Sequence, residues 1–237
     1  NIYVYKLLFL SPGLDLTLRV DPLGLVFGLV SSLLWFIVGI YTIGYMEHEH
    51  KKQRFFIFFS LSIFSAFGIS FAANLFTLFL FYELLTVCTY PLVTHEGTPE
   101  AFKAGSKYLI YTFTGGGFLL LSVVITYFLT GTLNFSDAPL LSIKHGTTIL
   151  YLLFASYTIG FGIKAAIMPI HSWLPSAMVA PTPVSTLLHA VAVVKAGVFG
   201  ILRMVYFVFG VDLMKQLGLN NVLAGIAAFT IIAASLI

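Results

Sequence analysis

Apolar residues fill most of this chain in long, nearly unbroken runs, and only the N-terminal part alternates strictly between apolar and polar residues. Each run approaches the roughly 20 residues that an α-helix needs to cross the hydrocarbon core of a bilayer. The runs therefore predict about seven transmembrane helices, and we expect the last of them to be incomplete here. They cover residues 22–45, 55–70, 74–92, 108–129, 149–178, 184–209 and 221–237.

The N-terminal part has the pattern of a pair of strands. Residues 14–21 alternate apolar and polar side chains without a break, and residues 2–10 are rich in residue types that favour strands. A Ser-Pro-Gly sequence at positions 11–13 separates the two stretches and suits a turn. These residues predict a short β-hairpin outside the membrane.

The composition agrees with a membrane protein. Hydrophobic residues make up 59% of the sequence and charged residues 9%, with a mean hydropathy of +1.01, whereas about a quarter of the residues in a soluble domain are charged. We therefore predict an all-α polytopic protein, multi-pass in the cell (inner) membrane. The net charge of +3 comes from scattered basic residues without interleaved aromatic residues, which argues against binding of nucleic acid.

The sequence carries no pattern that predicts a cofactor or a metal ion. Cys88 is the single cysteine, which excludes an intrachain disulfide and a metal cage of thiolates. A glycine triplet at positions 115–117 lies inside an apolar run, so it indicates close helix packing rather than a phosphate site. Residues 47–50 read Glu-His-Glu-His beside basic residues, and we interpret them as a solvated loop rather than as a metal patch.

Three ionisable residues stand alone inside the apolar runs, namely Glu83, Lys164 and Lys195. A bare charge is costly in hydrocarbon, so such a residue normally faces a bundle interior or a wet cavity, has a partner and marks an ion or proton path. The pattern therefore favours ion transport. Arg203 lies near a helix end instead, and we expect it to anchor at the membrane interface.

The helix that carries Lys164 should break near Pro169. Proline cannot donate a hydrogen bond to the carbonyl of Ala165, and its ring crowds that carbonyl. Transporters place ionisable residues beside discontinuous helices at their central sites. The alternative is a kink that serves packing only, with Lys164 reaching up to the interface.

Three segments around this break resemble a known family. Residues 168–178 read MPIHSWLPSAM, residues 180–189 read APTPVSTLLH, and residues 195–203 read KAGVFGILR. Together they resemble the antiporter-like proton-channel membrane subunits shared by respiratory complex I, Mrp-type multisubunit cation/proton antiporters and membrane-bound hydrogenases. Residues 90–101, YPLVTHEGTPEA, look closest to the Mrp-type and hydrogenase-linked branch.

The resemblance implies a first five-helix inverted repeat with its flanking helices, and it runs from about Pro22 to Arg203. On this basis we expect the output half of the path to lie outside the sequence. We divide the chain into an extramembranous hairpin segment (1–21), a flanking transmembrane helix with a basic loop (22–54), a five-helix transport repeat (55–209) and the start of the second repeat (210–237).

The resemblance also implies roles for individual residues. Glu83 falls where the family has its intramembrane glutamate, and Lys164 where it has the lysine of its broken helix. His189 and Lys195 fall on the next relay positions, and His171 beside the break is a further candidate relay. The implied activity is translocation of protons through these groups, and the sequence leaves open whether sodium is moved as well.

The implied partners are other membrane subunits of a multisubunit complex, with soluble redox subunits added if the complex is a redox-driven pump. No redox or hydrolytic site is apparent in the sequence, so any enzyme role depends on membership of an ion-translocating oxidoreductase. Two alternatives remain at this point, a passive membrane anchor and a quinone-reactive subunit. The anchor predicts that Glu83 and Lys164 can be replaced by apolar residues with activity intact.

Overall fold

Helices form most of the chain in the computed structural model, which describes residues 4–11, 14–136, 138–187 and 191–236. In chain order the helices are α1 (Pro22–Tyr45), α2 (Lys52–Ser70), α3 (Leu75–Val93), α4 (Pro99–Thr130), α5 (Thr147–Lys164), α6 (Trp173–Ala177), α7 (Thr182–Thr186), α8 (Val193–Arg203), α9 (Val211–Gln216) and α10 (Leu219–Leu236). Short 3₁₀ turns at Met46–His48 and Ile143–His145 complete the connections, and a π-helical segment, Met204–Phe209, continues α8.

Within these described residues, six helices are long and apolar enough to cross a membrane, namely α1, α2, α3, α4, α5 and α10. The sixth predicted run, residues 184–209, is not one regular helix, because it contains the end of α7, α8 and the π-helical segment. The protein is therefore an all-α polytopic membrane protein, as predicted.

Polar side-chain caps set the starts of α1 and α4. Asp21 caps α1, since its side chain accepts a hydrogen bond from the backbone N–H of Gly24 at 2.8 Å. Thr98 caps α4 in the same way through Ala101 at 3.1 Å, and Pro99 fills the first position of the helix. The hydropathy-based start of this helix at residue 108 was wrong, because the cap lies in a polar stretch that precedes the apolar run.

The N-terminal hairpin is present and is joined to the bundle. Strand β1 (Val4–Ser11) pairs antiparallel with β2 (Leu14–Arg19). Leu18 forms a β-bridge with Ala72, and the N–H of Arg19 donates to the carbonyl of Phe71 at 2.7 Å. The hairpin thus lies against the connection between α2 and α3.

Helix α5 ends at Lys164, before Pro169 is reached. The sequence correctly predicted a break but wrongly extended the helix to about residue 178. The chain turns at once, with Ala166 at a φ of 55°. Trp173 donates its indole N–H to the carbonyl of Ile163 at 2.7 Å, in addition to the backbone N–H of Ala166, and so ties the following segment to the end of the helix.

Helix α8 packs directly against this break. A Cβ atom added to Gly197 would lie 2.8 Å from the carbonyl carbon of Lys164 and would overlap the backbone of Ala165. The two backbones can therefore approach only because residue 197 has no side chain.

Arg203 does not lie at the interface, contrary to the prediction from its place near a helix end. It is 0% exposed, and its guanidinium pairs with both oxygens of Asp21, at 2.5 and 3.1 Å. The same group donates to the carbonyl of Ser70 at 3.2 Å. This cluster, the Asp21–Arg203 clamp, joins the start of α1 to the ends of α2 and α8. Asp21, the partner of Arg203, is distant in the sequence, so the position of Arg203 near a helix end led to the wrong prediction.

We predict that Gly197→Ala lowers the midpoint of thermal unfolding in detergent, because the added methyl group collides with backbone atoms that have no rotamer to escape into. Overpacking of this kind costs about 1–3 kcal/mol. Gly117→Ala on α4 is the matched control, since nothing lies within 4 Å of a Cβ atom there. Equal midpoints for the two variants would contradict the close packing at the break.

We also predict that Arg203→Leu and Asp21→Asn each destabilise the fold by about 3–5 kcal/mol, because either change removes the close partner of a buried charge. In Arg203→Leu the Asp21 carboxylate keeps only the longer contact with Arg19, at 3.7 Å. The double variant should lose less than the sum of the two single losses. Thermal unfolding of all three variants measures this coupling. Additive losses would mean that the two residues act independently.

Candidate functional site

Lys164 is the buried cation at the centre of the candidate site. It is the last residue of α5 and is 1% exposed, so it does not reach up to the interface. Its ammonium group donates a hydrogen bond to the backbone carbonyl of Tyr82 on α3. The ammonium nitrogen also lies 3.4 Å from the centroid of the Tyr82 ring, which is a cation–π contact.

Glu83 follows Tyr82 on α3 and extends toward α4. A Cβ atom on Gly116 would lie 2.6 Å from its Oε1 atom, so the absence of a side chain at residue 116 leaves room for the carboxylate. Oε1 is buried and has no hydrogen-bond partner. A buried carboxylate oxygen without a donor is costly, which makes this carboxylate a strong acceptor for a proton or for an approaching cation.

The two charges lie near each other but do not touch. Lys164 is bound to the carbonyl of the residue that precedes Glu83, and the charges of Glu83 and Lys164 attract each other. Among the described residues, which include both, no ion pair within 4.0 Å joins them. The predicted acid and amine therefore share one site without forming a contact pair.

Buried hydroxyl groups line the helices around this pair. Tyr82 donates its hydroxyl to the carbonyls of Gly160 and Phe161, each at 3.4 Å. Tyr108 and Thr89 share a hydrogen bond of 2.6 Å, and each hydroxyl can be the donor. These hydroxyl groups can both accept and donate hydrogen bonds inside an otherwise apolar bundle.

A second polar line runs from α4 to the segment after the break. Lys107 donates to the hydroxyl of Ser176 at 3.0 Å, and that hydroxyl donates to the carbonyl of Ser172 at 3.1 Å. Tyr111 and the Ser172 hydroxyl are 2.9 Å apart. Sequence reasoning missed Lys107 and Tyr111, although their spacing of one helical turn beside the apolar run was a usable signal.

His171 lies in the turn that leads to this polar line. Its Nδ1 atom is buried and has no hydrogen-bond partner. The side chain therefore offers a lone pair or an N–H group next to Ser172, and its role as a relay stays a prediction.

Lys195 occupies a different environment from Lys164. It is exposed within the chain and lines a groove of about 320 Å³ between α1 and α8, whose other walls are almost entirely apolar. Phe27 and Phe199 stack across the same helix pair with centroids 4.6 Å apart. The structure thus places Lys195 on the α1 side of α8, two residues from the contact of Gly197 with the break.

His189 falls in residues 188–190, which lie outside the described residues. The site that the structure does assemble consists of Glu83, Lys164 and Tyr82, and the polar line of Lys107 lies beside the break. Amine, carboxylate and hydroxyl groups in this setting can hold, release and conduct protons. Sequence reasoning missed Tyr82, because this residue contributes to the site through its own backbone carbonyl and the face of its ring.

Two family sequence models match the chain. The model described as "NADH:quinone oxidoreductase/Mrp antiporter, TM" matches residues 72–237. The model described as "NADH-Ubiquinone oxidoreductase (complex I), chain 5 N-terminus" matches residues 10–56. The two matches together cover strand β2, helix α1 and the chain from α3 onward, including the broken segment, and they leave out most of α2.

Curated relatives agree with these matches. The chain is 34% identical over 214 residues to chloroplastic NAD(P)H-quinone oxidoreductase subunit 5 of Anthoceros angustus, which is 86% of this chain and 29% of the relative. It is 35% identical over 222 residues to antiporter subunit mnhA2 of Staphylococcus epidermidis, which is 90% of this chain and 26% of the relative. The chain therefore spans less than a third of the length of these relatives.

Solved structures of similar fold come from two membrane complexes. A chain of the Mrp complex from Dietzia superimposes with a TM-score of 0.81 at 27% identity, covering 91% of this chain and 24% of that one. A chain of the archaeal membrane-bound sulfane sulfur reductase, a respiratory membrane complex, gives 0.77 at 26% identity, covering 90% and 43%. The resemblance inferred from the sequence is confirmed. With one family model matched from residue 72 to residue 237, the chain belongs to the family of membrane subunits shared by NADH:quinone oxidoreductases and Mrp antiporters.

Proposed function

We propose that this chain is part of a subunit that translocates protons across the membrane within a multisubunit antiporter or a redox-driven ion pump. One observation carries the proposal. An ammonium group, Lys164, is fully buried at the end of a broken membrane helix, with a carboxylate close by that it does not touch. The names of the relatives support the same class of activity, since they describe an antiporter subunit and a quinone oxidoreductase subunit.

The proposed mechanism uses the distance between Glu83 and Lys164. At an effective dielectric constant of about 20, two opposite charges about 4 Å apart gain about 4 kcal/mol, and at about 10 Å they gain about 1.7 kcal/mol. A movement of a few ångströms therefore changes the stability of the ammonium form by roughly 2 kcal/mol, which is more than a factor of ten in proton binding. Approach of the carboxylate retains the proton on Lys164, and separation releases it.

A lysine suits this task better than an arginine. Its ammonium group loses its proton readily when it is removed from water, whereas a guanidinium stays charged. The surroundings of Lys164 supply little compensation, since one carbonyl and one aromatic face replace its hydration shell. A small change in the electrostatic surroundings of Lys164 can therefore add a proton to its amine or remove one.

We propose that the proton then moves laterally through His189 and Lys195 toward the second half of the path, with His171 as an additional relay. The close contact of α8 with the break supports this direction, because it brings the backbone near Lys195 next to Lys164. On this account residues 55–209 form the transport repeat and residues 210–237 begin the next one. Coupling to sodium, soluble redox partners and an inner-membrane location belong to the same proposal.

We predict that Lys164→Met in the intact complex lowers proton translocation by at least about tenfold, because the apolar side chain cannot carry a proton. Lys164→Arg should fail as well, since it keeps the charge but not the exchange of the proton. The readout is the rate of pH change in membrane vesicles, with subunit co-purification as the measure of assembly.

Lys144→Met is the matched control, because Lys144 is exposed in the connection before α5. It should translocate protons at the wild-type rate. A passive anchor would give assembled complexes with full activity for all three variants, and that outcome would refute the proposed function.

A further inference from the structure

Two loops on one side of the bundle are fastened to each other by a pair of histidines. His50 lies between α1 and α2, and His95 lies between α3 and α4. The Nε2 atom of His50 is 3.2 Å from the carbonyl oxygen of His95, and the Nε2 atom of His95 is 3.1 Å from the carbonyl oxygen of His50. The two rings stack with centroids 4.8 Å apart.

These reciprocal bonds fix the tautomer of both rings. A backbone carbonyl can only accept, so each Nε2 atom must carry the hydrogen and donate it. In a neutral imidazole the lone pair then lies on Nδ1. Histidines that bind metal ions are commonly oriented in this way, with one ring nitrogen donating to a carbonyl and the other left for the metal.

Two carboxylates lie near His50, and one of them faces its Nδ1 atom. The Nδ1 atom is 3.6 Å from an oxygen of Glu49, and ligand atoms of Glu49, His50 and Glu96 all lie within 4.8 Å of one another. Glu96 comes from the other loop. The three residues therefore bring two oxygen ligands and one nitrogen ligand together across the loop contact.

The basic residues nearby do not neutralise these carboxylates. Lys52 donates to the carbonyl of Glu47 at 2.5 Å, and Arg54 donates to the carbonyl of Pro91 at 3.2 Å. Within the described part of the chain, neither Glu49 nor Glu96 has a lysine or arginine nitrogen within 4.0 Å. No lysine or arginine therefore compensates these two carboxylates, and the His50 imidazole is the basic group that faces Glu49.

His95 supplies an independent sign of a missing ligand. It is 0% exposed, and its Nδ1 atom is buried without any hydrogen-bond partner. With Nε2 as the donor, the ring of His95 carries a second imidazole lone pair on its Nδ1 atom. No hydrogen-bond donor reaches this atom in the described structure.

We propose that Glu49, His50 and Glu96 bind a divalent transition-metal ion of the zinc class, which ties the two loops together. One imidazole and two carboxylates, completed by water or by a shift of His95, match the tetrahedral sites of this ion. The imidazole favours zinc over magnesium, which prefers oxygen ligands alone. The Glu-His-Glu-His sequence suggested only a solvated loop, because Glu96 is distant in the chain and His48 and Glu47 do not take part.

The test is titration of the purified, chelator-treated protein with Zn²⁺ against a chromophoric competitor, with Co²⁺ absorption in the visible range as a spectroscopic report of nitrogen and oxygen ligation. We expect the wild type to bind one ion, and Glu49→Gln, His50→Gln and Glu96→Gln each to weaken binding by at least about tenfold. Thermal unfolding without metal shows whether each variant is folded.

The same loop provides matched controls in Glu47→Gln and His48→Gln, which should bind Zn²⁺ as the wild type does. Wild-type affinity in Glu49→Gln and Glu96→Gln would overturn the proposal. So would an equal loss in the two controls, since that would indicate general attraction to the loop, and so would equal competition by Mg²⁺.

Discussion

The structure depends on the burial of the Lys164 ammonium group in the middle of an apolar helix bundle, which is unfavourable in free energy. Its direct compensation is a hydrogen bond to the Tyr82 carbonyl and the face of the Tyr82 ring. The Glu83 carboxylate adds a longer-range attraction and has a buried oxygen without a donor of its own. Neither charge is thus fully compensated by its surroundings. Addition or loss of a proton, or a small movement, therefore changes the interaction energy between the two groups.

The surrounding fold keeps Glu83 and Lys164 from forming a direct ion pair. Gly116 leaves space that holds the carboxylate against α4, and the end of α5 is fixed by Trp173 and by the backbone of α8 at Gly197. The far end of α8 is held by the Asp21–Arg203 clamp. Close backbone packing and a buried ion bridge therefore surround two charges that do not form a contact pair.

Sequence reasoning found the membrane class, the hairpin, the broken helix and the lone charges, because apolar runs, strict alternation, proline and isolated ionisable residues are local signals. It could not find what depends on distant parts of the chain. The partner of Arg203 precedes it by most of the sequence, the ligand of Lys164 is a backbone carbonyl, and Glu96 joins residues 49 and 50 only through the fold. The apolar run that begins at residue 108 underestimated the length of α4, because a polar cap carries no hydropathy signal.

The central claim is that Glu83 controls the proton on Lys164, and the pH profile of proton translocation in Glu83→Gln tests it most directly. Loss of the carboxylate removes an attraction of about 1.7 kcal/mol at a separation of about 10 Å, so the ammonium form should survive only at lower pH. We predict that the profile moves to lower pH by roughly one unit relative to the wild type, while Glu100→Gln, at the exposed start of α4, leaves it in place. An unchanged profile in Glu83→Gln would contradict the account.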